Sequence, residues 1–146
     1  VLIPDKLYRY RMTEGSLTHV YNTEASRAQK VEQHLLMFEV IFDEWRERGL
    51  LDLCPGEMVA WCLDLTLFDL VRLPSSEADV CALHLSRLLR DVYGEKWCTL
   101  PPKGAQRRAA LAVAQGAGSG FEMRKRDLIA FFAATRGVKT CVERFI

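Results

Sequence analysis

Apolar residues between positions 22 and 48 recur with the period of an amphipathic helix. Five of them, spaced four, three, four and three residues apart, share one face at about 100° per residue: Val31, Leu35, Phe38, Phe42 and Trp45. Asn22 or Thr23 can cap this helix, and Gly49 can end it. Four more apolar residues widen the stripe: Leu36, Met37, Val40 and Ile41. The pattern predicts a long helix with more than one neighbour.

The second predicted helix spans residues 55–73, and from Met58 to Leu73 it is apolar on nearly all sides. A helix of this kind belongs at the centre of a bundle, because it leaves no wide polar face for solvent. Pro55 suits the first helical turn, and Pro74 follows the end.

Residues 75–93 form the third predicted helix. Its apolar face is expected to contain four residues: Cys81, Leu85, Leu88 and Val92. Ser75 or Ser76 is expected to cap the helix, with Asp79 in the position of the capping-box partner.

Five small residues, GAGSG at 116–120, separate two more helical segments. Before them, residues 105–115 are strong helix formers. After them, residues 121–146 carry a seam spaced three, four, three, four and three residues apart: Leu128, Phe131, Thr135, Val138, Val142 and Phe145. Phe132 thickens this seam. An exposed stripe of this size favours association, so we expect it to be buried against protein.

The N-terminal segment has a different period. Residues 6–21 alternate in the manner of a strand, with Tyr8, Tyr10 and Met12 on one side, and Gly15 suits a hairpin loop. We therefore predict a mainly all-α protein, a bundle of about five helices with a small N-terminal β-hairpin. Its predicted parts are a helical body (1–115), a flexible joint (116–120) and a C-terminal amphipathic helix that packs on the body (121–146).

The origin of the joint has two interpretations. GAGSG resembles an engineered linker, and the chain does not begin with Met. Residues 121–146 can therefore be a ligand segment tethered to its receptor, the last core helix of the domain, or a mobile regulatory tail. In each case we expect the chain to be a piece of a longer protein.

Composition limits the function classes. No stretch approaches the roughly 18 apolar residues of a membrane span. The five cysteines are an odd number, and no two have C-x-x-C spacing, so we expect reduced thiols in an intracellular protein, in the cytoplasm or nucleus. Charge is uneven: residues 101–146 hold nine Lys or Arg and three Asp or Glu, whereas residues 1–100 hold eleven and sixteen.

No motif in the chain indicates catalysis. His19, His34 and His84 lie in no recognisable nucleophile or metal motif, and the phosphate-binding glycine motifs are absent from the sequence. We therefore predict no catalytic residues, no metal and no cofactor, and we do not expect a small-molecule ligand.

Protein binding is the main functional hypothesis. The chain is predicted to be an intracellular scaffold or adaptor that holds an amphipathic helix in a hydrophobic groove between its first helix and the helices at 55–73 and 75–93. Six residues are predicted to fill such a groove: Leu128, Phe131, Phe132, Val138, Val142 and Phe145.

Nucleic-acid binding is the alternative, with RNA as the partner. Arginines interleaved with tyrosines suit stacking and backbone contacts, and a folded-back joint would gather the basic residues that flank it. The candidate contacts are Tyr8, Arg9, Tyr10, Arg11, Lys103, Arg107, Arg108, Arg124, Lys125 and Arg126.

Overall fold

The structure, a computed structural model, describes the backbone of residues 24–138 and the side chains from residue 27 onward. These residues form five α-helices: α1 (Glu24–Glu47), α2 (Pro55–Leu70), α3 (Ser75–Tyr93), α4 (Gly104–Gly116) and α5 (Lys125–Arg136). A short 3-10 helix, Trp97–Thr99, lies between α3 and α4. The mainly helical class is confirmed, whereas the hairpin predicted in residues 6–21 lies outside the described residues.

α1 buries the face that its spacing predicts. Val31, Leu35, Phe38 and Phe42 are buried, and Trp45 is half-buried. The Phe38 ring meets Trp61 of α2 edge-on at 5.3 Å, and Phe42 meets Tyr93 of α3 at 5.7 Å. Edge-on contacts of this kind match the charge distribution of aromatic rings. They join α1 to both α2 and α3.

α2 is the central helix, and it contacts each of the other four. Its apolar residues are buried on several sides of the helix, as the sequence predicts for a central position. Two polar residues are buried with them, and both have partners. The Thr66 hydroxyl donates to the Cys62 carbonyl at 2.8 Å, and the Asp69 carboxylate lies 2.7 Å from the Lys30 ammonium.

The first turn of α2 lies directly against the loop that follows the 3-10 helix. A Cβ atom added at Gly56 would sit 2.3 Å from the Leu100 carbonyl oxygen. No side chain fits in this gap, so the close approach of the two backbones requires glycine.

α3 begins differently from the prediction. Its N-cap residue is Pro74, and no side chain bonds to the free amides of the first turn, so the predicted serine cap is wrong. The Asp79 carboxylate bonds elsewhere: one oxygen accepts from the amides of Gly118, at 2.9 Å, and Gly120, at 3.2 Å. This carboxylate connects the start of α3 to the joint between α4 and α5.

The joint forms a defined turn around that carboxylate. Gly118 and Gly120 have φ angles of 80° and 92°, a region that glycine enters without strain. The Ser119 hydroxyl donates to the Gln115 carbonyl of α4 at 2.9 Å. The small residues thus allow the chain to reverse and to direct two amides at one acceptor.

Replacing Asp79 with alanine is expected to lower the free energy of unfolding by about 1 kcal/mol, because two amides lose a charged acceptor at a partly exposed site. Chemical denaturation measures the loss. Asp91→Ala removes a carboxylate from an exposed position of the same helix and should change stability by less than about 0.5 kcal/mol. Equal effects of the two substitutions would show that the Asp79 contact contributes nothing.

α5 packs mainly against α4 and α2. Leu128, Phe131 and Phe132 are buried, and the Phe132 ring meets Phe68 of α2 at 6.3 Å. The Arg136 guanidinium donates to the Asp64 carboxylate at 2.6 Å, which secures the last turn on α2. α5 ends there, with Gly137 as its C-cap residue.

The contacts with α4 are polar at the same end of α5. Gln106 donates to the Thr135 hydroxyl at 3.1 Å, and the Lys103 ammonium donates to the Ala134 carbonyl. The last turn of α5 is therefore held from two sides, by α2 and by the start of α4.

Candidate functional site

α1 has a second apolar side that faces solvent. Leu36 is 57% exposed and Val40 is 70% exposed. At about 100° per residue both lie on the side opposite the buried stripe. α1 contacts both α2 and α3, but most of the surface of these two side chains stays in solvent.

A groove of about 320 Å³ runs beside this stripe, between α1 and α3. Its lining is mainly apolar, with one carboxylate from each helix. The lining residues are Ala28, Glu32, Ser76, Glu77, Val80 and Cys81. Val80 is 67% exposed at its edge. Leu36 lies one helical turn after Glu32, and Val40 one turn further, on the row that leads from the groove toward the solvent-facing side of α1. We call Glu32, Leu36, Val40, Glu77 and Val80 the acidic face.

α1 and α3 run in the same direction along this face. Ala28 shares the groove with Glu77 near the start of both helices. Further on, His84 Nε2 lies 2.8 Å from a Glu39 carboxylate oxygen, and Phe42 meets Tyr93 near the end of both. The groove is therefore bounded by two parallel helices, and Leu36 and Val40 extend the acidic face from its edge onto the solvent-facing side of α1.

The rim carboxylates of this face have no cationic partner within residues 27–138. Neither Glu32 nor Glu77 forms an ion pair there, whereas Glu39 is engaged with His84. Cys81 lies on the floor, where burial, and then the charges of Glu32 and Glu77, raise the pKa of its thiol. The thiol therefore stays protonated, and the groove offers no thiolate nucleophile.

A second groove, of about 340 Å³, lies between α4 and the segment that leads into α5. Three arginines line it, together with the apolar side chains of Leu111 and Met123: Arg108, Arg124 and Arg126. We call these five residues the basic face. Leu111 is exposed, and neither Arg108 nor Arg124 forms an ion pair with another described residue. Arg126 lies 3.7 Å from Asp127, which lines the groove together with Glu122.

Two smaller grooves extend the basic face. One, of about 250 Å³, shares Met123 and adds Arg72 and Lys125. The other, of about 230 Å³, shares Arg108 and Leu111 and adds Arg107. A wider cleft of about 470 Å³ borders Arg124 on the side of α3. The basic residues thus follow a band across the outer side of α4 and the start of α5.

The structure places the predicted nucleic-acid contacts unequally. It brings Arg108, Arg124 and Arg126 together, with Lys125 next to them. Lys103 is engaged with the Ala134 carbonyl, and the Arg107 guanidinium donates to the carbonyls of Pro101 and Pro102 at 2.9 and 2.8 Å. The other predicted contacts lie outside the described residues: Tyr8, Arg9, Tyr10 and Arg11.

The structure also places the six predicted groove-filling residues unequally. Leu128, Phe131 and Phe132 are buried within their own chain, against α4 and α2 rather than between α1 and the next two helices. Val138 is 68% exposed. Val142 and Phe145 lie outside the described residues.

None of the acidic-face residues was among the predicted site residues. The signal in the sequence was the width of the α1 stripe, because at about 100° per residue Leu36 and Val40 lie about 140° and about 180° around the helix from its centre. A helix with two apolar sides needs a second partner, and in this structure residues 27–138 leave Leu36 and Val40 largely exposed.

Three buried polar atoms have no hydrogen-bond partner among the residues described: His34 Nδ1, Ser86 Oγ and Tyr93 Oη. Burial, and then Lys30, lowers the pKa of His34. Burial raises the pKa of Tyr93 to about 12. At neutral pH both groups are therefore uncharged, and each contacts an aromatic ring, so both are consistent with core positions.

Residues 27–138 contain no group of three His, Cys, Asp or Glu that could hold a metal ion. No helix in the described range is long and apolar enough to span a bilayer. In comparisons with known proteins, no family model, curated protein or solved structure matches this chain.

Proposed function

We propose that this chain is a non-catalytic protein-interaction domain that binds a basic amphipathic helix of a partner on its acidic face. The observation that carries the proposal is the exposure of Leu36, Val40 and Val80 beside an open groove whose rim holds two unpaired carboxylates. An apolar strip with a charged rim is the usual form of a site that receives a helix.

The apolar residues supply most of the expected affinity. Full burial of one Leu or Val side chain contributes about 1.5–3 kcal/mol. Leu36, Val40 and Val80 remain largely in water when the chain is alone, so much of this contribution is still unused. A partner helix with apolar residues at i, i+3 or i+4, and i+7 would cover them.

The carboxylates determine which helix fits. Glu32 and Glu77 lie on the two sides of the groove, one on α1 and one on α3. An acidic partner would meet like charges there, whereas lysines or arginines would find counter-ions on both sides. The charge pattern therefore favours a basic helix and should make its binding weaken as salt rises.

The tethered-ligand interpretation of residues 121–146 stays a prediction. In this structure the apolar residues of α5 pack on α4 and α2, and the acidic face is left uncovered by the described residues. The partner helix that we propose is therefore a different one from α5.

A labelled synthetic helix of about 18 residues, with leucines on one side and lysines on the other, tests the proposal by fluorescence anisotropy. We expect the L36E/V40E variant to bind it at least about tenfold more weakly, which corresponds to about 1.4 kcal/mol. The added glutamates would strengthen a purely ionic attraction, so a loss of affinity identifies apolar contact.

Leu53→Glu is the matched control, because Leu53 is 72% exposed outside the acidic face. It should bind the peptide like the unaltered chain. A peptide that binds L36E/V40E with unchanged affinity, or that fails to bind the unaltered chain at low salt, would refute the proposal.

Nucleic-acid binding is the second candidate, and the convergence of Arg108, Arg124 and Arg126 favours it. Against it, Glu122 and Asp127 line the same groove, and its lining includes no aromatic side chain for base stacking. A single-stranded RNA oligonucleotide whose binding falls steeply with salt and is lost in R108E/R124E would establish this function.

A further inference from the structure

We propose that the basic helix received by the acidic face is α4 of a second copy of this chain, so that copies associate head to tail. The inference rests on the proposed function, since it uses the same acidic face. It identifies the partner as a second copy of this chain, and it makes the basic face the surface that this copy presents.

The outer side of α4 is basic and carries one apolar residue in its exposed row, so it would cover less of the acidic face than a helix with apolar residues at i, i+3 or i+4, and i+7. Arg108, Leu111 and Gln115 are three and four residues apart, so they form one exposed row. Leu111 is the apolar residue of this row, and Met123 lies beside it in the groove. α4 is thus a short helix with a basic and apolar side turned to solvent.

The two faces are complementary in charge. The acidic face offers Glu32 and Glu77 around exposed Leu36, Val40 and Val80, and neither carboxylate has an ion-pair partner in the described part of the chain. The basic face offers Arg108 and Arg124 around Leu111 and Met123, again without ion pairs to described residues, and the three arginines of this groove outnumber its two carboxylates, Glu122 and Asp127. When two such faces meet, each unpaired charge can gain an opposite one and each apolar group can leave water.

The two faces of one molecule cannot meet each other. α4 is fixed by its inner side, where Ala109, Ala110 and Val113 are buried in the core. The acidic face belongs to α1 and α3, which pack into the same core from other positions. The acidic face of one molecule can therefore bind only the basic face of another molecule.

A contact between unlike faces leaves one acidic and one basic face unused at the ends of each pair. Association of this kind is open-ended unless a ring closes. Only a few apolar residues take part on each side, so the contact is small and belongs to the weak class of interfaces. We expect a concentration-dependent rise in mass at low salt and its loss at high salt, because the charges lie at the surface.

Sedimentation velocity on the unaltered chain, over a concentration series at two salt concentrations, provides the first measurement. Two variants each disrupt one face. R108E/R124E reverses two charges of the basic face, and L36E/V40E replaces two apolar residues of the acidic face with charged ones, which prevents their burial in a contact. Each variant alone should remain monomeric under conditions in which the unaltered chain associates.

The decisive step is to mix the two variants in equal amounts. The intact acidic face of R108E/R124E then meets the intact basic face of L36E/V40E, while the two altered faces repel each other through their glutamates. We expect a 1:1 heterodimer that grows no further. Because only folded variants can restore the contact, this result also excludes unfolding as the reason why each variant alone is monomeric.

Three outcomes would overturn the inference. The first is that the unaltered chain stays monomeric at every concentration and salt condition. The second is that R108E/R124E associates like the unaltered chain, which would indicate a contact between like faces. The third is that the mixture remains monomeric although circular dichroism shows both variants to be folded. If the chain is monomeric yet still binds the synthetic basic helix, only the self-association fails. If it is monomeric and binds RNA through Arg108 and Arg124, the basic face serves nucleic acid instead.

Discussion

Replacing Phe131 with alanine is expected to lower the free energy of unfolding by about 3–5 kcal/mol, which is typical for the loss of a buried phenyl ring. Phe131 is 0% exposed, and its ring meets Phe132 edge-on at 5.1 Å. The substitution removes apolar area from the contact of α5 with α4 and α2 and leaves a cavity there. Small domains are stable by about 5–15 kcal/mol, so the loss is a large share of the total.

Urea denaturation followed by circular dichroism measures this effect. Val138→Ala is the control, because Val138 is 68% exposed and its truncation should change stability by less than about 0.5 kcal/mol. If Phe131→Ala costs no more than this control, then α5 does not pack on the body and the arrangement of the last helix described above is wrong.

Gly56→Ala is expected to destabilise the protein by about 1–3 kcal/mol or more, although alanine is the better helix former. The new Cβ would lie 2.3 Å from the Leu100 oxygen and 3.0 Å from its carbonyl carbon, both of them backbone atoms that no side-chain rotation can move. Either α2 or the loop after the 3-10 helix must shift, and both belong to the core.

Gly104→Ala is the matched control for this prediction. Gly104 also lies in the first turn of a helix, but the nearest atoms to its added Cβ are the ends of the Arg108 and Arg107 side chains, at 3.7 and 4.0 Å. Here the same substitution should raise stability by about 0.4–1 kcal/mol, because the unfolded chain loses conformational freedom. Thermal unfolding of the two variants should therefore shift in opposite directions, and shifts of the same sign would contradict the proposed reason.

The sequence predicted the helices well because their apolar residues recur with a clear period. The buried stripe of α1 from Val31 to Phe42 follows from spacing alone, and so does the central place of α2. Periodicity could not show how many neighbours α1 would have. Leu36 and Val40 look like an extension of the buried stripe in the sequence, and only the packing of α2 and α3 shows that they stay exposed.

Contacts between distant parts of the chain explain the other differences. A capping box is a local pattern, and Asp79 occupies the position of its acidic partner, with Asp in place of Glu. In the fold, the Gly118 and Gly120 amides lie within reach of its carboxylate, about 40 residues away, and they bind it instead. The position of α5 depends in the same way on Gln106 and Asp64, whose bonds to Thr135 and Arg136 no local pattern reveals.

The sequence predicted the candidate site only in part. The basic residues on both sides of the joint pointed to a shared surface, and the structure brings Arg108, Arg124 and Arg126 into one groove. It also shows that Lys103 and Arg107 bond to backbone carbonyls, which charge patterns cannot indicate. The acidic face depends on the parallel packing of α1 and α3, and therefore on the tertiary fold.

The central position of α2 has a consequence for how the domain opens. Because α2 contacts the other four helices of the described range, none of these helices can separate from the rest without breaking contacts of α2. Amide protons in the middle of α2 should therefore exchange with solvent only when the entire described bundle unfolds, whereas those at the last turn of α5 can exchange through local fraying. The slowest protons of α2 would then report the global free energy of unfolding directly.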